Sequence, residues 1–242
     1  MAGHSKFSNI KHRKGAQDAK RAKVFTKVQR EIFSAVKAVG DASEEFNPRL
    51  RLAILKAKSV NMPKDKIDSA IKKAVGSNSG ENFDEMRYDC YGPAGVGVIV
   101  ETLTDNKNRT AGEIRPLAIK YGGNMGETGS LDFVFSHVGV ILYEKNDIDF
   151  NILFEKSVDF GAENVEEVDD VYEVTTLFED FHKVQWEISQ MFGSPVLASI
   201  QYIPVSCIDV PSDKVEAFHK FIDALEDLDD VQNVWHAQSK AS

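Results

Sequence analysis

The sequence predicts an α+β protein: an N-terminal three-helix domain followed by two ferredoxin-like α/β domains, one inserted in the other. Three observations carry this reading. Residues 1–80 hold 18 Lys+Arg against 7 Asp+Glu, whereas the rest of the chain holds 11 against 31, so a basic third of net +11 is joined to an acidic body of net −20. Apolar residues recur at helical spacing through the basic third and then, past a Gly/Ser/Asn-rich stretch, give way to alternating strands and helices. Residues 138–204 read β-α-β-β-α-β, a complete ferredoxin-like order, with a β-α-β half-unit on either side of it.

The first helix runs from about Gln17 to Val39, with Val24, Phe25, Val28, Ile32, Phe33 and Val36 on one stripe and Gly40 to end it. Asn47-Pro48 places a cap residue before a first-turn proline and opens a second helix through Leu50, Leu52, Ile54 and Leu55 to about Val60. Asn61-Met62-Pro63 repeats the signal before Ile67, Ala70, Ile71 and Ala74. GSNSGEN, from Gly76 to Asn82, reads as a linker.

Val96, Val98 and Val100 alternate as a strand. Ile114, Leu117 and Tyr121 form a helical stripe in which Pro116 kinks the helix or removes one backbone bond. Leu131, Phe133 and Phe135 read as a second strand and Val138 to Tyr143 as a third. A helix at Phe150–Val158, acidic strands near Val165–Val168 and Val171–Thr176, a helix through Phe181, Val184, Ile188 and Met191 and a strand at Leu197–Val205 complete the inner unit. A helix capped by Ser212 and a strand at Val231–Trp235 close the chain. The expected domains are 1–78, then 79–136 with 205–242, and 137–204 inserted between them; one long mixed sheet is the alternative.

Neither membrane nor secretion is expected: no apolar run is long enough to span a bilayer, and the cationic start lacks an apolar segment after it. Cys90 and Cys207 are far apart and outside any CxxC or His-rich context, so they read as reduced, buried structural thiols of a cytoplasmic protein. None of the six histidines has a metal-ligand spacing, and no Ser/His/Asp or Cys/His system is legible. Gly92–Gly97 lacks the Lys-Ser/Thr of a phosphate loop and precedes a strand, so it reads as a turn. The glycine-dense Gly122–Gly129 segment reads as tight-turn geometry. The acidic clusters at 166–170 and 226–230 lack the ligand spacing of a calcium loop and read as solvated faces. The expectation is a binding protein, not an enzyme, with no cofactor and no small-molecule substrate.

The N-terminal segment has a different chemistry. Lys6, Lys11, His12, Arg13, Lys14, Lys20, Arg21 and Lys23 crowd a short stretch, and Lys20, Lys23, Lys27 and Arg30 recur at three- and four-residue steps that share a helix face. A row of such cations matches a row of phosphates and gives affinity without sequence choice. Phe7 can stack on a base or pack on the bundle. Lys107 and Arg109 in TDNKNRT are candidates for a second contact; the alternative is that Asn108 or Thr110 caps the following helix and both cations are solvated.

The stretches GHSKFSNIKHRKGAQDAKRAKVFTK, NPRLRLAILKAKSVNMPKDKI, YGPAGVGVIVETLTDNKNRT and GGNMGETGS resemble the YebC family, closely over roughly the first 140 residues. That resemblance implies a cytoplasmic protein of three domains without enzymatic activity or cofactor. It implies DNA binding in the transcription-regulator branch and ribosome-linked action in the branch that includes the mitochondrial translational activator of cytochrome c oxidase. Phe7 stands where the family commonly has Trp, Cys90 and Ala94 interrupt a stretch that usually reads GYGPGG, and Pro116 falls where the family continues a helix. Two functions are therefore expected, first a DNA-binding transcriptional regulator and second an RNA- or ribosome-associated translation factor. No helix-turn-helix, zinc finger, basic zipper or RNP motif separates them.

Overall fold

The structure, a computed structural model, describes residues 18–76, 82–146 and 148–239. Seven helices lie among them: α1 (Asp18–Val39), α2 (Pro48–Ser59), α3 (Lys64–Gly76), α4 (Lys107–Lys120), α5 (Phe150–Phe160), α6 (Phe181–Phe192) and α7 (Ser212–Glu226). Eight strands accompany them: β1 (Asp84–Tyr91), β2 (Gly97–Thr104), β3 (Asn124–Met125), β4 (Phe135–Glu144), β5 (Ala162–Val168), β6 (Val171–Leu177), β7 (Leu197–Pro204) and β8 (Val231–His236). The fold is α+β, with two four-stranded sheets. The chain divides into two compact units, one of residues up to Val75 with His137–Gln201, the other of Gly76–Ser136 with Tyr202 onward.

In the first unit, Val28, Ile32, Phe33 and Val36 of α1 are buried, as their spacing predicts. Asn47 caps α2: its Oδ1 accepts the Leu50 N–H at 2.9 Å, while its Nδ2 donates to the Ala35 and Asp41 carbonyls at 2.9 and 2.8 Å. This wholly buried amide thus ties the α1–α2 connection to both helices. The second Asn-x-Pro signal works differently. Asn61 is left-handed (φ 56°), and the Met62 N–H returns to the Ala57 carbonyl at 2.9 Å. Asn61 therefore ends α2 rather than capping α3, because asparagine tolerates the positive φ of a helix C-terminus.

The sheet of this unit has the order β5-β6-β4-β7. Strand β4 is followed by α5, then the β5–β6 hairpin, α6 and β7, so the first strand lies between the third and the fourth, as in a ferredoxin-like unit. Asp169 (φ 48°) makes the two-residue hairpin turn possible. Ile141, Leu153, Val174, Phe181, Val184 and Ile188 form the buried core, and Leu52 and Leu55 of α2 pack against it. The helical segment therefore shares apolar packing with this sheet.

In the second unit the order is β3-β1-β2-β8. Strand β2 lies between β1 and β8, which is why every residue of it except Glu101 is buried. Glu101 instead accepts from Trp235 Nε1 at 2.7 Å and Asn233 Nδ2 at 3.1 Å, across the β2–β8 pair. Ile114 and Ala118 of α4 and Phe218, Phe221 and Leu225 of α7 join the same core. Helix α4 runs unbroken through Pro116. The proline has no N–H to give the carbonyl four residues earlier, that of Gly112, so the helix continues at the cost of one backbone bond.

Of the two cysteines expected to be buried, Cys90 is and Cys207 is exposed. Two strand readings also change. DEMRYDCY, read as no element, is β1; Tyr88 and Cys90 enter the core while Arg87 and Asp89 occupy the opposite face. Leu131–Phe135, read as a strand of its own, is a turn over 131–134 closed by the Val134 N–H on the Leu131 carbonyl at 2.9 Å, with Phe135 the first residue of β4. Leu131 is buried and Phe133 is 81% exposed. Their alternation comes from a turn that buries one side chain and releases the next.

Candidate nucleic-acid interface

Helix α1 carries the cation stripe. At about 100° per residue, Lys23, Lys27 and Arg30 fall within roughly 60° of its circumference, on the side away from Val28, Ile32 and Val36, while the side chain of Lys20 lies outside the description. Lys23 is exposed, and Lys27 and Arg30 are half-buried. The apolar stripe of the same helix faces the bundle and leaves this arc to charge. Arg21 lies off the stripe, its guanidinium 5.7 Å from the Phe25 ring. Lys6, Lys11, His12, Arg13 and Lys14, together with Phe7, lie outside the described residues.

Helix α3 adds cations that sequence reasoning did not single out. Lys64, Lys66, Lys72 and Lys73 are exposed. Lys66 Nζ lies 5.3 Å from the Phe25 ring and Lys73 Nζ 5.7 Å from the Phe33 ring, so α3 sets part of its charge against α1. The signal for them was the charge excess of the whole helical segment rather than any motif. Other cations have structural partners: Lys56 pairs with Glu31, and Arg49 Nη2 donates to Ser34 Oγ at 3.0 Å. Burial lowers the Arg49 guanidinium from its ordinary value, with Glu31 opposing.

Lys107 and Arg109 belong to the other unit. The helix cap there is Asn106, whose Oδ1 accepts the Arg109 N–H at 3.0 Å. Neither cation is simply solvated. Lys107 Nζ lies 3.2 Å from Asp84, and Arg109 Nη2 lies 2.6 Å from Asp230 and 2.8 Å from Asp105. The hydrogen bond to Asp230, then that to Asp105, holds the Arg109 guanidinium above its ordinary value. Asp230 also accepts from Thr104 Oγ1 at 3.0 Å and Thr110 Oγ1 at 2.8 Å, and it is only 3% exposed. One member of the 226–230 acidic cluster is therefore a buried structural carboxylate and not part of a solvated face.

The glycine-dense loop is held by a second buried carboxylate. Asp89 accepts from Arg87 Nε at 2.7 Å, from Arg87 Nη2 at 2.9 Å, and from the Gly129 and Leu131 N–H groups at 3.0 Å each. Burial pulls the Arg87 guanidinium down, but hydrogen bonds to Asp89 and Asp132 outweigh it and leave it raised. A Cβ at Gly123 would collide with the Tyr91 carbonyl oxygen. Tight-turn geometry thus accounts for these glycines. Among the described residues no group of three or more His, Cys, Asp or Glu is placed to hold a metal ion. No helix there is long and apolar enough to cross a membrane.

Family comparison agrees with the division of charge. Residues 5–77 match the model of the TACO1/YebC protein N-terminal domain, and residues 83–238 match that of the TACO1/YebC second and third domain. The chain belongs to the TACO1/YebC family. Relatives in that family include a probable transcriptional regulatory protein of Rickettsia bellii (strain OSU 85-389), 48% identical over 97% of this chain and 92% of that protein. Another, from Wolbachia pipientis wMel, is 48% identical over 97% of this chain and 96% of that protein. The crystal structure of a conserved hypothetical protein from Aquifex aeolicus is similar throughout, with a TM-score of 0.81 at 38% identity and 97% of each chain covered. The names of the TACO1/YebC relatives point to a regulatory protein rather than an enzyme.

Proposed function

We propose that this chain is a nucleic-acid-binding regulator of gene expression, a DNA-binding transcriptional regulator acting in the cytoplasm, whose basic N-terminal third supplies the affinity. The observation that carries the reading is the charge division, 18 Lys+Arg against 7 Asp+Glu in residues 1–80 beside an acidic remainder. The cation arc of α1 and the exposed lysines of α3 support it, because a polyanion gains by releasing counterions along such a surface. Lys107 and Arg109 enter as a second contact that exchanges carboxylates for phosphates. The acidic body repels phosphate within about a Debye length, ~8–10 Å at ordinary salt, and so turns the polyanion toward the helices.

The test is affinity against salt for duplex DNA and for ribosomes in parallel. On duplex DNA the log–log slope is expected to fall by roughly 0.9 per phosphate contacted. Charge reversal at Lys11, Arg13, Lys14, Lys20 and Arg21 is expected to abolish most binding with the circular dichroism unchanged. Undiminished affinity of that folded variant at low salt would sink the proposal. Footprint-specific, stoichiometric binding to ribosomes alone would replace transcription by translation as the process regulated.

A further inference from the structure

The outer strand of the first unit's sheet is β5, since the order is β5-β6-β4-β7. Glu163, Asn164, Glu166 and Glu167 of β5 are exposed, while Val165 turns into the core with Leu153 and Val174. Charge along an edge strand keeps other strands off it, which accounts for Glu163, Glu166 and Glu167. It does not account for Glu173, which lies one strand further in, on β6. Glu173 stands opposite Glu166 on one side and Leu142 on the other, so the two carboxylates share the face away from Val165. Glu173 is only 9% exposed, and neither carboxylate has a hydrogen bond or a cation among the described residues. The next position differs, because Glu167 has Lys145 Nζ at 2.8 Å. Like charges directly opposite each other destabilise a strand pair, and a buried carboxylate without a partner is costly. Burial, then Glu166, accordingly raises the Glu173 carboxyl above its ordinary value. The pair asks for a cation.

We infer that β5 is a docking edge for an extended, Lys- or Arg-rich segment of a partner protein, which adds to the sheet beside β5 and sets a cation over the Glu166–Glu173 pair. Strand addition takes affinity from main-chain hydrogen bonds and specificity from alternate side chains. Neighbouring strands lie ~4.8 Å apart, so the added strand stands about 10 Å from β6. A Lys or Arg stem reaching inward and the Glu173 side chain reaching outward cover that distance between them. A metal ion is the poorer occupant, since no group of three or more His, Cys, Asp or Glu among the described residues is placed to hold one. A second copy of β5 would set Glu163, Glu166 and Glu167 against the same three residues, and a phosphate backbone would meet the same repulsion. The charges that turn those away admit a cationic strand. Its cations belong at alternate positions, on the Glu166 face, with apolar residues between them on the Val165 face. This edge and the basic helices are separate surfaces, so either can fail without the other.

The test titrates the full chain with acetyl-Lys-Val-Lys-Val-Lys-Val-Lys-amide, a probe matched in length to the seven residues of β5, by calorimetry. Amide hydrogen exchange is mapped by mass spectrometry with and without it. Saturable one-to-one binding is expected, with slowed exchange over 162–168, because an added strand takes up the outward N–H groups of β5. Glu166→Gln with Glu173→Gln is expected to weaken the probe about tenfold, the scale of one lost charge-assisted hydrogen bond. Glu113→Gln with Glu216→Gln removes as much charge from exposed helix positions of the other unit and is expected to leave affinity unchanged. Circular dichroism is expected to be the same in both variants. A peptide of the same composition with its lysines together, acetyl-Lys-Lys-Lys-Lys-Val-Val-Val-amide, is expected to bind several-fold more weakly. Equal binding of the two peptides, equal losses in the two double variants, or binding without protection of 162–168 would overturn the docking edge, leaving only general attraction to an acidic body. No saturable binding would overturn it too, whatever the protein does with DNA. Tighter probe binding after charge reversal at Lys11, Arg13 and Lys14 would make the chain's own N-terminal residues the occupant and overturn the partner.

Discussion

The Val205 N–H donates to the Val134 carbonyl at 2.9 Å, so the points where the chain leaves the second unit and returns to it are hydrogen-bonded neighbours. About seventy residues lie between them in sequence, and their sheet, β5-β6-β4-β7, has the other fold's strands on neither edge. This adjacency is what makes an inserted domain at 137–204 a workable proposal.

If it is an insertion, replacing residues 137–201 by a short Gly/Ser turn is expected to leave the outer sheet folded, with Phe135 and Tyr202 kept because both belong to its core. Near-UV circular dichroism and amide dispersion are the readouts. A molten product would favour one continuous structure in which neither sheet stands without the other.

Asp230→Ala is expected to destabilise the protein by on the order of 2–3 kcal/mol in chemical denaturation, because Thr104, Thr110 and Arg109 lose a common acceptor in a buried place. Arg109→Ala is expected to cost less, since its side chain is 43% exposed and water can replace it. Equal losses from the two variants would mean that the hydroxyl pair contributes nothing.

Lys107→Ala with Arg109→Ala is expected to lower nucleic-acid affinity modestly, and to reduce the salt slope by less than charge reversal in the N-terminal segment does. Lys107→Ala alone is the control for indirect effects, since it disturbs only the exposed pair with Asp84. Crosslinks from bound DNA or RNA mapping mainly to residues 138–204 would contradict the arrangement.

Ala94→Gly is expected to stabilise the protein by roughly 0.5–1 kcal/mol. Ala94 is held at φ 63° in the β1–β2 turn. That region costs a residue with a Cβ roughly 1–2 kcal/mol, and the extra freedom of glycine in the unfolded chain cancels about 0.4–1 of the gain. A lower midpoint of thermal unfolding in the variant would show that the turn is not strained.

Glu173 faces Glu166 across the β5–β6 pair and is largely buried. Burial, then Glu166, pushes its carboxyl above the ordinary value. The folded state therefore holds the proton more tightly than the unfolded state, and this group's contribution to stability declines as pH rises from the unfolded value of about 4.5 through the raised folded one. Glu173→Gln is expected to gain roughly 0.2–1 kcal/mol at pH 7, the scale of a like-charge cross-strand pair. The gain is expected to vanish below pH 4; a constant difference across the titration would assign it to packing instead.

Periodicity made the helices legible, because each buries one stripe: Val28, Ile32 and Val36 in α1, and Phe218, Phe221 and Leu225 in α7. It also exposed the order of the inner unit, where β4 and β6 are largely buried on both faces. It failed where a strand pairs its apolar face with a buried ion pair, since Arg87 and Asp89 make β1 look like a polar loop until the 126–132 segment folds over them. It failed again at Leu131 and Phe133, where a turn imitates alternation. At the candidate interface, the sequence shows where cations are dense but not which are committed. Nothing local to TDNKNRT reveals that Arg109 meets a carboxylate at position 230.

The placement of β8 has a consequence for synthesis. Strand β2 pairs with β8 through Thr102 and Val231, roughly 130 positions later in the chain. At ribosomal speeds of about 5–20 residues per second, β2 waits on the order of ten seconds with an unpaired edge after it emerges, while the β4–β7 sheet has all of its strands and can close. The nascent protein therefore passes through a stage in which the β4–β7 sheet is complete and the other lacks only β8. That stage is the moment at which a chaperone would find the exposed strand.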